Sequence, residues 1–112
     1  MDVWWLTAVL DEFRRLPQGA QQRLGYQLSK VQQGEDPDDW KPMKAIGDGC
    51  REIRIHFDDG IARSLYVYLG KDPRYVVPLA AFVKKTGKTP SGIVKTAGRR
   101  LAQVKQQMEE YR

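Results

Sequence analysis

The chain has 112 residues with 19 Lys and Arg against 14 Asp and Glu, and its positive excess lies in the last quarter: residues 1–83 hold 11 basic and 12 acidic side chains, residues 84–112 hold 8 and 2. A single domain over 1–112, 41% apolar and 10% aromatic, is long enough for one packed core and too short for two, which excludes wholesale disorder. One Cys and one His exclude an intrachain disulfide and a Cys/His zinc site, no apolar run approaches the roughly 20 residues of a membrane span, and the start is not a basic secretory leader, so a cytoplasmic protein with a polyanion partner is expected.

Asp2–Leu6 is a short apolar run that reads as a strand. Thr7 stands as an N-cap, and Val9, Leu10, Phe13 and Leu16 follow at helical spacing. Pro17 separates this helix from a second one, whose stripe is Ala20, Leu24, Leu28 and Val31 and whose stop is Gly34. Gly34–Pro42, with two prolines and four acids, reads as a connector. Gly47-Asp48-Gly49 is a turn before a strand, Cys50 a small buried hydrophobe, and Trp4, Trp5 and Trp40 core aromatics.

From Arg51 to Phe57 the period becomes two, with Ile53, Ile55 and Phe57 on one face and Glu52, Arg54 and His56 on the other. Asp59-Gly60 is a two-residue hairpin signal, and Ala62–Leu69 is the return strand. After a turn at Gly70–Pro73, Tyr75–Val83 is apolar on both faces and reads as an interior strand, although Pro78 offers no ladder donor. Beyond Thr89-Pro90-Ser91, the residues Ile93, Val94, Ala97, Leu101, Val104, Met108 and Tyr111 recur every three or four positions. Lys95, Arg99 and Lys105 fall off that stripe, which makes a basic amphipathic helix. The order is β-α-α-β-β-β-α, an α+β fold with one sheet.

Two constellations bear chemistry. A tight turn at Asp59-Gly60 puts position 56 opposite position 63, so His56 and Arg63 are expected as cross-strand neighbours with Arg54 and Glu52 on the same face. Two arginine forks suit a phosphodiester and the charge that builds in its transition state, and Glu or His can take a proton. An exposed face of ordinary Glu–Arg pairs is the competing reading. The second constellation, Lys84-Lys85-Thr86-Gly87-Lys88-Thr89-Pro90, follows a strand end, where lysines can converge on phosphates and Phe82 can stack on a base. Its glycine spacing is not that of a Walker loop.

The run Lys41-Pro42-Met43-Lys44-Ala45-Ile46-Gly47-Asp48-Gly49-Cys50-Arg51-Glu52-Ile53-Arg54-Ile55 resembles the K-x-L-x-G-x-x-E-[LI]-R strand of RelE/ParE-superfamily toxins, in particular the phage-type HigB-like branch. Arg63-Ser64-Leu65-Tyr66 is similar to the family's R-x-x-Y on the next strand. Leu79-Ala80-Ala81-Phe82-Val83-Lys84-Lys85-Thr86-Gly87-Lys88-Thr89-Pro90 is similar to its L-H-x-F-x-K-K-T-x-K-T-P signature. Leu16-Pro17 and Gln32-Gln33-Gly34 fit a helical hairpin.

The resemblance implies a RelE-like, antiparallel-rich sheet with the helical hairpin on one face and the basic helix at the C-terminus. It implies the toxin of a type II toxin–antitoxin pair, an endoribonuclease that cleaves mRNA on the ribosome without metal or cofactor. It implies a cognate antitoxin with a helix-turn-helix domain. In such enzymes the 2′-hydroxyl attacks the adjacent phosphate. Carried over by position, Arg54 and Arg63 hold the scissile phosphate, Lys84 and Lys85 bind phosphate and support leaving-group protonation, and Glu52 is the candidate base. His56, Phe82, Thr86, Lys88, Lys95 and Arg99 complete the RNA surface. One departure stands out: Ala80 occupies a position where the family often has His, which leaves His56, Glu52 or a lysine to handle the proton. A ParE-like gyrase poison on the same fold, and a catalytically weakened RNA- or partner-binding module, are the alternatives.

Overall fold

Alternating apolar residues at 53, 55 and 57 need one dry face, and the fold supplies it with a helix. The computed structural model of the chain describes residues 1–58, 60–84 and 88–110. Its elements are β1 (Asp2–Val3), α1 (Thr7–Arg14), α2 (Gln18–Gln32), β2 (Trp40–Pro42), β3 (Arg51–Phe57), β4 (Gly60–Leu69), β5 (Tyr75–Lys84) and α3 (Ser91–Glu110). The strands form one sheet in the order β1-β5-β4-β3-β2, antiparallel except where β1 runs parallel to β5.

Two apolar layers sandwich this sheet. On one face Ile53, Ile55, Ala62, Tyr66, Val76 and Ala81 pack against Leu16, Ala20, Leu24, Leu28 and Val31 of the helical hairpin. On the other, Leu65, Val67, Val77, Leu79 and Ala80 pack against Ala97, Leu101 and Val104 of α3, with Ile46 and Cys50 filling in. Cys50 is buried as expected. The tryptophans divide: Trp4 meets Tyr75 edge-on, Trp5 meets Phe13, and Trp40 lies under the Arg51 guanidinium at 4.0 Å.

Four expectations need correction. Thr7 is the first residue of α1 and not its N-cap, which is Leu6. The first strand is Asp2–Val3 and stops short of Leu6. The end of the connector is a strand: Trp40, Lys41 and Pro42 pair with Ile53, Glu52 and Arg51, so the order gains a β element and becomes β-α-α-β-β-β-β-α. Finally, the hairpin closes one position earlier than Asp59-Gly60 suggests, at Phe57 and Gly60 rather than at 58 and 61, which shifts every cross-strand partner by two. Asp59 itself lies outside the described residues, as does Tyr111 of the expected helical stripe.

Because side chains alternate with period two, a slip of two positions keeps every residue on its face but changes its partner. His56 therefore opposes Ile61, and Arg63 opposes Arg54. The proline in β5 is accommodated by an irregularity: Leu65 pairs with Ala80 but Tyr66 with Pro78, so Leu79 is an extra residue on β5. A bulge is where a strand tolerates a residue without a donor.

Three of the four connector acids are tied down. Asp36 meets Arg51 at 3.0 Å, Asp39 meets Arg54 at 2.9 Å, and Asp38 is held by Lys30 and by Gln27. The hydrogen bond from the Lys30 ammonium holds the Asp38 carboxyl below the usual range, and the same bond raises Lys30.

Candidate nucleic-acid interface

The apolar cover that α3 gives the second face stops short of β3. From Leu65 and Phe82 towards β3 that face is charged, because β3 contributes Glu52, Arg54 and His56 in alternation. The rows across the strands read Lys41, Glu52, Leu65 and Ala80, then Arg54, Arg63 and Phe82, then His56, Ile61 and Lys84. Arg54, Arg63 and His56 thus lie on one face of the sheet, as the alternation led us to expect, with Arg54 rather than His56 facing Arg63, and Phe82 and Lys84 of β5 join the same face.

Glu52 lies at the root of this surface, with no exposure to solvent. Its Oε1 is 3.5 Å from Arg63 Nη1 and 3.8 Å from Lys41 Nζ, and its Oε2 accepts the hydroxyl hydrogen bond of Thr89. Arg63 is 3% exposed. Its Nε is buried and finds no acceptor among the described residues. A buried guanidinium N–H without a partner costs free energy comparable to a lost hydrogen bond.

Arg54 is half-exposed and donates Nε and Nη2 to Asp39 Oδ1 at 3.2 and 2.9 Å. His56 is exposed, with Nε2 3.6 Å from the other Asp39 oxygen, Oδ2. Lys84 donates to the Lys88 carbonyl at 2.6 Å. Lys85 and Thr86 lie outside the described residues. Phe82 is half-buried against the α3 core and, with Ala80, Ala81, Ile93, Thr96 and Arg99, lines a cavity of about 500 Å³. Arg99 therefore joins the surface at that edge. Lys95 is exposed on α3. Tyr66, the tyrosine of the R-x-x-Y pair, is buried on the opposite face against the helical hairpin, and desolvation pushes its phenol up.

Three contributors carry no signal that the sequence exposes. Asp39 reads only as one acid among four, Lys41 as part of a connector, and Thr89 as part of a motif with no stated role. A fourth is the Glu12–Arg100 pair, in which Arg100 Nη2 meets Glu12 Oε2 at 2.7 Å while Arg100 Nη1 caps the carbonyl of the bulged Leu79 and Glu12 caps the Ala81 N–H. This brace fixes β5 to α1 and α3 beside the site, where β1 no longer pairs with it.

The family model described as "Phage derived protein Gp49-like (DUF891)" matches residues 11–102, a span that includes every row of the charged surface. The chain belongs to this family. No curated protein matches the sequence significantly. Among solved structures, the Gp49-like chain is similar to the toxin RelE of E. coli, an arginine-to-alanine double mutant in the free state, at a TM-score of 0.65 and 18% identity, over 88% of this chain and 95% of that one. The likeness shows the RelE fold. The resemblance read from the motifs is borne out by this family and by the RelE-like fold. Among the described residues, no helix is long and apolar enough to cross a membrane.

Proposed function

We propose that this Gp49-like protein is the toxin of a type II toxin–antitoxin pair and acts as an endoribonuclease on ribosome-bound mRNA. The observation that carries the reading is the Arg54–Arg63 cross-strand pair, with a buried Arg63 Nε that lacks an acceptor among the described residues. Guanidinium forks on cross-strand neighbours suit the oxygens of one phosphodiester, and their charge gains most when negative charge accumulates on phosphorus oxygens in the transition state. Phe82 on the same row offers an aromatic edge to a neighbouring base, and Lys84 with Lys88 extends the cationic track.

In the proposed reaction the 2′-hydroxyl of the bound nucleotide attacks the adjacent phosphorus and the 5′-oxygen of the next nucleotide leaves. Arg54 and Arg63 hold the phosphate, and Lys84 and Lys85 stabilise the leaving side. Glu52, fully buried and engaged by Arg63 and Thr89, serves as the anchor of Arg63 in this scheme rather than as the base expected from sequence. The partners are mRNA on the ribosome and a cognate helix-turn-helix antitoxin, and the site of action is the cytoplasm.

Induction of the protein without its antitoxin, followed by primer extension on abundant messages, tests the proposal. New 5′ ends accompanying growth arrest, absent with Arg54→Ala, support it. Arrest with gyrase inhibition and intact messages would replace it by the gyrase-poison reading, and unimpaired growth by a binding module.

A further inference from the structure

The fold leaves the cleavage site without an obvious proton acceptor. Glu52 is sealed beneath Arg63 and Thr89, and Ala80 brings only a methyl group to the same face. The sequence contains one imidazole, that of His56. It is 71% exposed by side chain, it projects from the same face of β3 as Arg54, and it stands diagonally across from Arg63, within reach of a nucleotide bound there.

Asp39 ties His56 to the arginine. Its Oδ1 takes two N–H groups of Arg54 and its Oδ2 lies 3.6 Å from His56 Nε2. Its own backbone carbonyl accepts the Arg54 N–H at 3.0 Å, so Asp39 is fastened along the β3 edge just before β2 begins. That separation is longer than a hydrogen bond, so Asp39 acts on the imidazole through its charge, and Nδ1, which makes no hydrogen bond among the described residues, is the nitrogen left to act as acceptor. Asp39, Arg54 and His56 line an open cavity of about 520 Å³ with Arg23 and Tyr26, and Arg23 Nη1 steadies the strand by donating to the His56 carbonyl at 2.7 Å.

We propose that His56 is the general base of the cleavage reaction and that Asp39 is its positioning residue, which sets the imidazole and the Arg54 guanidinium in one geometry. The proposal rests on the ribonuclease reading. In the step, His56 Nδ1 takes the proton of the 2′-hydroxyl as the O2′–phosphorus bond forms. The bond from phosphorus to the 5′-oxygen breaks with its electron pair on that oxygen, which takes a proton from a lysine ammonium or from water. The products are a 2′,3′-cyclic phosphate and a 5′-hydroxyl.

The test uses the full chain and a model message bound to ribosomes, with cleavage followed for wild type, His56→Ala, Asp39→Asn and Arg63→Lys. His56→Ala is expected to lower the rate by about 10² to 10⁴, the usual worth of a positioned base, and added imidazole is expected to restore part of it. Asp39→Asn is expected to lower kcat about 10- to 100-fold, as for other residues that orient a reacting imidazole, with KM little changed. Wild-type cleavage by His56→Ala, or a loss that imidazole does not restore, would overturn the assignment of the base. An Asp39→Asn effect confined to KM would overturn the positioning role. If Arg63→Lys also cleaves at the wild-type rate, the ribonuclease site itself is misplaced; if only Arg63→Lys fails, the site stands and the Asp39–His56 pair is removed from it.

Discussion

Thr89 donates its hydroxyl hydrogen bond to Glu52, joining the residues just before α3 to the second residue of β3 across 37 positions of sequence. The bond also brings Lys88 to the charged sheet face, since Thr89 follows Lys88 directly and the Lys88 carbonyl in turn accepts from Lys84. A hydrogen bond to a charged, buried acceptor contributes about 1.5–3 kcal/mol.

Thr89→Val keeps the volume and removes that donor. It should lower the stability by about 1–3 kcal/mol in urea titration, because Glu52 then keeps a buried oxygen with one donor fewer. Unchanged stability would show that the bond contributes nothing.

Glu52 and Arg63 form a buried pair whose members depend on each other. Removing one partner from such a pair typically costs about 3–5 kcal/mol, whereas replacing both by apolar residues costs much less. Glu52→Met alone should therefore destabilise more than the double variant Glu52→Met/Arg63→Met, and a double-mutant cycle in denaturant measures the difference. Additive losses would contradict the pairing.

Arg100 holds Glu12 through two guanidinium nitrogens and caps the Leu79 carbonyl with one of them. Arg100→Lys preserves charge but loses the planar fork, so it should still cost on the order of 1–2 kcal/mol. Hydrogen exchange at Ala81 should accelerate in the same variant, since its amide donates to Glu12. A protected Ala81 amide would contradict the brace.

Burial pushes the Cys50 thiol up. A group whose pKa is raised on folding contributes its full stability below the unfolded value, so that contribution persists through neutral pH and is lost as pH rises through the folded value. Stability should accordingly fall in the alkaline range, and Cys50→Ala should flatten that fall. The native thiol should resist aromatic disulfide reagents at pH 8 and react once the chain is unfolded; immediate reaction in the folded protein would contradict its burial.

The elements most legible in the sequence were those with long periodic stretches. Arg51–Phe57 shows both of its faces by alternation, and α3 shows its stripe from Ile93 to Met108, because burial on one side imposes the period. Trp40–Pro42 is too short for a period to show, and its strand character comes from pairing with β3. The bulge at Leu79 follows from the fit of β4 to β5 around Pro78, which neither strand reveals alone. At the site, the face of Glu52, Arg54 and His56 was readable. The partner of Arg63 was not, since the turn could close at more than one position without moving a side chain to the wrong face. Asp39 was hidden for another reason: an acid in a connector acquires its role only when the chain folds back along β3.

The central claim is that the Arg54–Arg63 face holds and cleaves a phosphodiester. Its most direct test is end mapping of a ribosome-bound message after incubation with purified wild type and with Arg63→Lys, whose retained charge keeps Glu52 paired. The claim predicts fragments with 5′-hydroxyl and cyclic-phosphate ends from wild type, and a loss of roughly 10²-fold or more in the variant, as when an oriented charge donor is removed from a transition state. Equal cleavage by the two proteins, or an intact message with wild type, would contradict it.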